Sequence, residues 1–532
     1  MQEFHSLILI SGGLGLFLLG MIIMTDGLKK LAGDQIRSAL FHFTQTPTSG
    51  ALTGAISTAI VQSSSATTVA AVGFVGAGLM TFSNALGVIF GANIGTTMTG
   101  WMVALLGFKF SIDTIAMPII LVGVLLRLFS KGKVAQTGLA IAGFGLIFVG
   151  IETMQAAMAG MRDFIDFSQL PANNLIGQLQ LLVLGLTFTL ITQSSSAGVA
   201  VTLTALFTGM IEFEQAAALV IGMDVGTTAT SIIATIGGTV GAKRTGYSHV
   251  FYNLITAIMA LMLITPYTLV WEYLAPGSLQ QNAEIALVGF HSLFNLLGVI
   301  LILPFTKQFA NLMYKLVPQT GSNYIDRLDK QLLQTPELAL TAAQNTLLDL
   351  MRALVNELNY LTGKQPLKTF HSDLTQLQQD LDQTQYYLDA IHLNQNESHL
   401  WKRLISMIHM LDHLQRLHER CEEESDRAKA SKLFPTLQPT SNRMAEDIEK
   451  LLQQILQGDW AATLKLTEEL NQFIERDAEF YRHKMVDRMG QGEISADQCW
   501  DSLEAIRWMK RVSNHLYRIS YHLQQMLLSS GK

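Results

Sequence analysis

Cysteine is almost missing: Cys421 and Cys499 are the only two in 532 residues, which excludes a disulfide-stapled secreted scaffold. Charge is scarce as well, at 15% of residues against about 25% in an average soluble protein. There is no basic excess to bind nucleic acid through counterion release, since 36 Lys and Arg face 42 Asp and Glu. The chain also lacks a Gly-x-x-x-x-Gly-Lys-Ser/Thr nucleotide loop, a Cys/His cluster at zinc spacing, and a His or Asp partner near its serine tracts for nucleophilic catalysis. These absences argue against an enzyme and against ATP-driven pumping. The scarcity of charge is uneven: residues 1–317 contain 12 Lys/Arg and 12 Asp/Glu, whereas residues 318–532 contain 24 and 30. The first part is neutral and the second has the whole net charge of −6, so a single soluble globule is excluded.

Apolar runs fall at Leu7–Met24 and at about 83–107, 112–130, 135–158, 214–240, 248–272 and 284–305, close to the ~20 residues a bilayer-spanning helix needs. The first is not read as a signal peptide, because Glu3 and His5 precede it without Lys or Arg and no clear small-residue cleavage site follows. Two regions, 47–81 and 178–210, differ. Each has two apolar arms around a Ser tract, and an arm of ~15 residues reaches only ~22 Å, short of the ~30 Å hydrocarbon core. They are predicted to be re-entrant hairpins. If each hairpin returns, Lys29, Lys30, Arg37, Arg127, Lys131, Lys133, Lys243, Arg244, Lys307 and Lys315 share one face, and Lys109 and Arg162 the other. Positive-inside bias then predicts that the first face is cytoplasmic, with the N-terminal end outside and the polar C-terminal part in the cytoplasm. Two full spans per hairpin would give the same parity.

The apolar part repeats itself. Gln62-Ser63-Ser64-Ser65-Ala66 recurs as Gln193-Ser194-Ser195-Ser196-Ala197, and Gly91-Ala92-Asn93-Ile94-Gly95-Thr96-Thr97 as Gly222-Met223-Asp224-Val225-Gly226-Thr227-Thr228, both 131 residues later. Gly13, Gly15 and Gly20 match Gly143, Gly145 and Gly150 at an offset of 130. A span, a hairpin and two further spans make three crossings per unit, so the second copy is predicted to sit upside down, with the hairpin tips meeting near the midplane. Inverted repeats with broken helices at membrane centre are a transporter architecture.

A serine tract is costly in lipid unless something satisfies its hydroxyls. At a hairpin tip, Ser63, Ser64, Ser65, Ser194, Ser195 and Ser196 would offer hydroxyl donors and free backbone N–H groups at a helix start, a combination suited to an oxyanion. Gln62 and Gln193 can present either amide face, donor to an anion or acceptor to a cation. The competing reading is that small polar residues only let helices pack closely. In the second motif, paired glycines are expected to unwind a helix and expose carbonyls. With Asn93, Thr96, Thr97, Asp224, Thr227 and Thr228, these would be hard oxygen ligands for a small cation; a helix-crossing contact is the alternative. Asp224 fits that alternative poorly, because a carboxylate at membrane depth normally marks an ion or proton pathway. His249 with Asn253, and His291 with Asn295, stand at i, i+4 and are expected to be satisfied buried hydrogen-bond pairs.

On these motifs the sequence resembles the sodium/phosphate cotransporter family, bacterial relatives of the animal type II carriers, over most of residues 10–310. The resemblance implies sodium-coupled movement of inorganic phosphate, with Gln62, Ser63, Ser64, Gln193, Ser194 and Ser195 around phosphate and sodium, and Asn93, Thr96, Thr97, Thr227 and Thr228 supporting them. Met223-Asp224 departs from the family pattern of a small residue followed by Asn, which leaves sodium stoichiometry open.

From Pro336 the pattern becomes amphipathic, with Leu340, Leu347, Met351, Leu354, Leu358 and Leu361 at helical spacing. Similar stretches at 373–391, 399–420, 441–457, 462–486 and 498–528, divided by Pro435 and Pro439, predict a tandem antiparallel bundle. This part resembles the PhoU-like domain of bacterial family members. PhoU proteins bind metal through acidic clusters, but Asp412-His413-Leu414-Gln415-Arg416 and Lys510-Arg511-Val512-Ser513-Asn514 lack the second acid, so the usual metal sites are not expected. The nine histidines here are expected to be scattered and mostly solvated.

The resulting reading is an all-α polytopic protein of the bacterial inner membrane. Residues 1–317 form a transport domain, with repeat one at about 7–130, repeat two at about 135–272 and an extra span at 284–305. Residues 318–335 form a linker, and residues 336–532 a cytoplasmic PhoU-like helical domain. Its expected partners are inorganic phosphate, co-transported sodium, the lipid bilayer and a cytoplasmic regulator, with no organic cofactor and no nucleic acid; a homo-oligomer is compatible with it. Sodium-driven alternating access leads the functional readings. Export by the same fold, and a phosphate sensor signalling through its helical domain, are the alternatives.

Overall fold

Long runs of Leu, Ile, Val, Ala and Gly leave a backbone in lipid one local way to pair its own N–H and C=O groups, the helix. The structure, a computed structural model, describes residues 2–109, 113–160, 172, 174–236, 238–318, 324–365, 367, 373–393, 398–422 and 425–529. Arg162 and residues 319–323 of the predicted linker lie outside the described residues. All regular structure among the described residues is helical, and the chain divides into two compact units, Met1–Val75 with Leu79–Gln319, and Thr320–Lys532 with Gly76–Gly78.

In the first unit, α1 (Gln2–His42) precedes a helical pair, α2 (Pro47–Val61) and α3 (Ser64–Gly76). Then come α4 (Phe82–Met102), running into a π-helical stretch Val103–Lys109, α5 (Asp113–Phe129) and α6 (Gly132–Ala159). A second pair, α7 (Leu175–Thr192) and α8 (Ser195–Phe207), leads to α9 (Phe213–Gly226), α10 (Thr228–Ile233), α11 (Val240–Leu274), a single turn α12 (Ser278–Gln281), α13 (Ala283–Ile302) and α14 (Thr306–Leu316). Among the described residues, seven helical segments are long and apolar enough to cross a membrane, and the protein is an all-α polytopic membrane protein. Six coincide with predicted spans. The predicted span 112–130 corresponds to α5, only 17 residues long, while α7, expected as a fifteen-residue arm, has 18 and counts among the seven.

Two helices are central. The α4 and α9 segments are 67% and 72% buried, against 22% for α1, α7 and α11, whose apolar side chains are left for lipid. The 131-residue offset persists in the packing. A Cβ on Gly91 of α4 would run into the Ala51 carbonyl oxygen of α2, and one on Gly222 of α9 into the Leu182 carbonyl oxygen of α7. The predicted unwinding at these glycines is thereby corrected: α4 is unbroken through Gly91–Thr97, and between α9 and α10 only Thr227 intervenes, at helical φ −61° and ψ −23°. The glycines serve close approach of helices instead. α1 and α6 also meet through glycine: a Cβ on Gly13 would lie 2.8 Å from the Gly150 carbonyl oxygen, and one on Gly20 2.8 Å from that of Gly143. Residue numbers rise along one helix as they fall along the other, so these two helices are antiparallel.

The second unit contains α15 (Pro336–Leu361), α16 (Leu374–Asp389), α17 (Ser398–Glu422), α18 (Ser425–Leu433), α19 (Gln438–Gln457), α20 (Trp460–Gly490) and α21 (Ala496–Leu528). The six amphipathic stretches each become a helix, and α18 is an addition in the region of the breaker. α15 packs on α17 and α19, and α17 on α21, so the two triplets share one core.

Candidate functional site

Both polar tracts interrupt their helices at the glutamine. Gln62 (φ 57°) and Gln193 (φ 56°) are the only non-glycine residues at positive φ among those described, a conformation that costs an L-residue about 1–2 kcal/mol and that neighbouring contacts must enforce. The enforcement is the same twice: Gln62 N–H donates to Thr58 O at 2.7 Å and Gln193 N–H to Thr189 O at 2.8 Å, each closing the preceding helix. The amide groups follow suit, Gln62 Nε2 donating to Ala59 O and Gln193 Nε2 to Leu190 O. Next, Ser63 and Ser194 each accept a backbone N–H, from Ala66 at 3.3 Å and Ala197 at 3.2 Å, starting α3 and α8. A hydroxyl that accepts in this way keeps its own proton to donate. The hairpin lengths follow: α2 has 15 residues and α3 and α8 have 13 each.

The two turns, 131 residues apart in sequence, open onto one cavity of about 310 Å³. All eight expected anion-site residues line it: Gln62, Ser63, Ser64, Ser65, Gln193, Ser194, Ser195 and Ser196. They are joined by residues that the sequence reading passed over, Asp26 and Lys29 of α1 and Thr230 of α10. Hydrogen bonds run crosswise between the copies: Ser65 Oγ lies 3.2 Å from Thr230 Oγ1, and Ser196 Oγ donates to Thr99 Oγ1 at 3.3 Å. Thr99 in turn donates to Gln62 Oε1 at 2.8 Å, whereas Gln193 Oε1 has no partner among the described residues. Thr99 and Thr230 are themselves 131 apart, a signal the repeat offset could have supplied.

The expected cation ligands are brought together only in part, through Asn253, which accepts from Asn93 Nδ2 and donates through Nδ2 to the Asp224 carbonyl at 2.7 Å and to Thr227 Oγ1 at 3.4 Å. Of Asn93, Thr96, Thr97, Asp224, Thr227 and Thr228, only Thr227 lines the cavity. Thr96, Thr97 and Thr228 donate to carbonyls of their own helix turns, Ala92 O, Ile94 O and Val225 O. Asn93 and Asp224, equivalent in the repeat, each meet a His-x-x-x-Asn pair from a later helix. Asn93 Nδ2 donates to Asn253 Oδ1 at 2.6 Å and Asn93 Oδ1 lies 3.2 Å from His249 Nε2. His291 Nε2 lies 3.1 Å from Asp224 Oδ1, and Asn295 Nδ2 donates to Asp224 Oδ2 at 2.8 Å. The two pairs are thus buried and hydrogen-bonded, with partners outside their own helices. A bridge to the cavity exists through Thr227, whose Oγ1 donates to the Asp224 carbonyl at 2.6 Å.

Comparison with known proteins places this geometry. The Na+/Pi-cotransporter profile matches residues 16–156 and 167–300. The chain belongs to the Na+/Pi-cotransporter family. Among its relatives, the uncharacterized Bacillus subtilis protein YqeW is 30% identical over 302 residues, 57% of this chain and 95% of its own. The Escherichia coli K12 protein named "Putative inorganic phosphate export protein YjbB" is 25% identical over 503 residues, 90% of each chain. The rat sodium-dependent phosphate transport protein 2A is 35% identical over 101 residues, 18% of this chain and 16% of its own. No solved structure matches the chain at a significant level. The Na+/Pi-cotransporter match takes in both Gln-Ser-Ser-Ser turns, both Asn93/Asp224 networks and most of α1, so the cavity and its unforeseen lining residues lie within the family region.

Proposed function

We propose that the protein is a sodium-coupled secondary transporter of inorganic phosphate that works by alternating access at the cavity between its two serine-tipped turns. The observation that carries this reading is that single cavity, lined by both Gln-Ser-Ser-Ser turns. Hydroxyls and helix-start N–H groups suit phosphate oxygens. They donate hydrogen bonds without neutralising charge, and Lys29 and Asp26, the charged residues among the described lining, cancel each other. An anion entering this site needs its own cations, since an unpaired charge away from water is costly. Sodium ions bound beside phosphate meet that need, with Thr227 and the free Gln193 Oε1 as oxygen donors at the cavity and Asp224 behind Thr227. Such mutual neutralisation is what makes each solute raise the other's affinity.

The antiparallel pairing of α1 with α6, which are equivalent in the repeat, and the family match in two segments of similar length support a second copy inverted relative to the first. On this reading the protein lies in a bacterial inner membrane with the second unit as a PhoU-like regulator, and the positive-inside bias supports an N-terminal end outside and a second unit in the cytoplasm. Lys29 then lies on the cytoplasmic side and the cavity is the inward-facing one. Export is the second reading, favoured by likeness to YjbB over 90% of both chains; the same site serves it, since direction follows the gradients.

The test is phosphate flux in proteoliposomes with sodium gradients of either sign, for the wild type and for Ser64→Ala with Ser195→Ala. Flux that follows the sodium gradient and collapses in the double variant is expected. Equal flux under all conditions refutes transport, and saturable binding without flux supports a sensor instead.

A further inference from the structure

Four of the nine histidines of the second unit gather on one seam, so the expectation of scattered side chains is corrected for them, and that of solvated ones for His413, His515 and His522, which are partly buried. His409 and His413 stand one turn apart on α17, His515 and His522 two turns apart on α21, and the two helices pack together. Spacings of four and seven put each pair on one stripe of its helix. The His413 and His515 Nδ1 atoms are 3.4 Å apart. The His409 and His522 rings stack at 5.0 Å between centroids, and those of His413 and His522 at 5.8 Å.

We propose that this seam binds a divalent transition metal ion of the zinc class, with Nδ1 of His413 and Nδ1 of His515 as its first two ligands. Two imidazole nitrogens on a tetrahedral zinc, each ~2.0–2.1 Å from the metal, stand about 3.3–3.4 Å apart, the separation seen between α17 and α21. A single N–H···N hydrogen bond would account for that pair alone; it does not account for two more imidazoles stacked around it. Asp412 Oδ2 lies 3.9 Å from His413 Nδ1 and accepts from Arg416 Nε at 3.0 Å, which offsets the nearest guanidinium. Among the described residues no three such groups stand ready as a complete site. The ion therefore draws in its third ligand by rotation of the partly exposed His522 or the exposed His409, with water completing the shell. Side chains from facing helices of a bundle are a recurrent way to build such sites, and imidazole suits zinc, copper and nickel above magnesium or calcium. The bound ion ties α17 to α21.

The experiment uses the full-length protein in detergent without a polyhistidine tag, titrated with Zn2+ by calorimetry and with Co2+ by visible absorption. One ion per chain is expected, with a tetrahedral Co2+ spectrum. His413→Gln and His515→Gln should each weaken binding at least tenfold, while His483→Gln on α20 leaves it unchanged. A thermal shift on adding Zn2+, absent in the two seam variants, reports the tie between helices. Absence of stoichiometric binding by the wild type, or equal binding by the seam variants with unchanged helical content, overturns the proposal.

Discussion

Ser65 and Thr230 stand 165 residues apart in sequence and 3.2 Å apart in space. Their repeat equivalents, Ser196 and Thr99, make the reciprocal contact at 3.3 Å. Each serine turn is therefore latched to the opposite copy, as in a two-fold contact where residue i meets j and j meets i. The third serine of each tract ties its turn to the other copy, while all three line the cavity. Thr99→Val removes two hydrogen bonds, to Gln62 and Ser196, each of about 1 kcal/mol. Its phosphate KM should rise several-fold, with Thr99→Ser near the wild type. An unchanged KM in the valine variant would show that the latch is irrelevant to the site.

Lys29 is the one cationic side chain among the described residues lining the cavity. Lys29→Gln should raise the phosphate KM about tenfold, the scale of a single hydrogen bond to a charged group, and Lys29→Arg should restore most of it. Flux assays at fixed sodium read this directly, and a KM indifferent to the charge at this position would remove Lys29 from the anion's path.

Gly91 and Gly222 support the fold more than they touch any solute. A side chain at either position meets a carbonyl oxygen of the neighbouring helix, an overpacking that costs about 3 kcal/mol. Gly91→Leu and Gly222→Leu should lower the melting temperature and the yield of folded protein alike, whereas Gly15→Leu, which meets nothing within 4 Å, should be tolerated. Thermal unfolding in detergent distinguishes these outcomes.

Asp224 is the charged counterpart of the neutral Asn93. Asp224→Asn can still accept from His291 and Asn295 while losing the carboxylate beside Thr227, where the proposed function puts sodium. The ratio of charge to phosphate moved should change, as measured by current and radiolabelled flux on the same preparation. An unaltered ratio would reduce Asp224 to a structural role.

Much of this was legible in the sequence because polar residues inside apolar runs stand out. The two Gln-Ser-Ser-Ser tracts announce both the duplication and the helix breaks, and all eight of their named residues line the cavity. What was misread depended on contacts between distant segments. Glycines four apart look the same whether a helix unwinds or presses on a neighbour, and the deciding atom, the Ala51 carbonyl oxygen, is forty residues away from Gly91. His249 and His291 show their i+4 asparagines locally, but their partners Asn93 and Asp224 become visible only when α4, α9, α11 and α13 are assembled. Asp26 and Lys29 read as flanking charges because the apolar run stops at Met24, although the helix continues to His42. In the second unit the 3.6-residue period revealed the long helices, while the short polar α18, without an apolar stripe, left no such mark.

The most direct measurement is equilibrium phosphate binding to the purified protein across a sodium series, paired with sodium binding across a phosphate series. If the cavity holds the anion only together with its cations, sodium should raise phosphate affinity, and phosphate should raise sodium affinity by the same factor. Phosphate affinity that does not change with sodium would contradict the account.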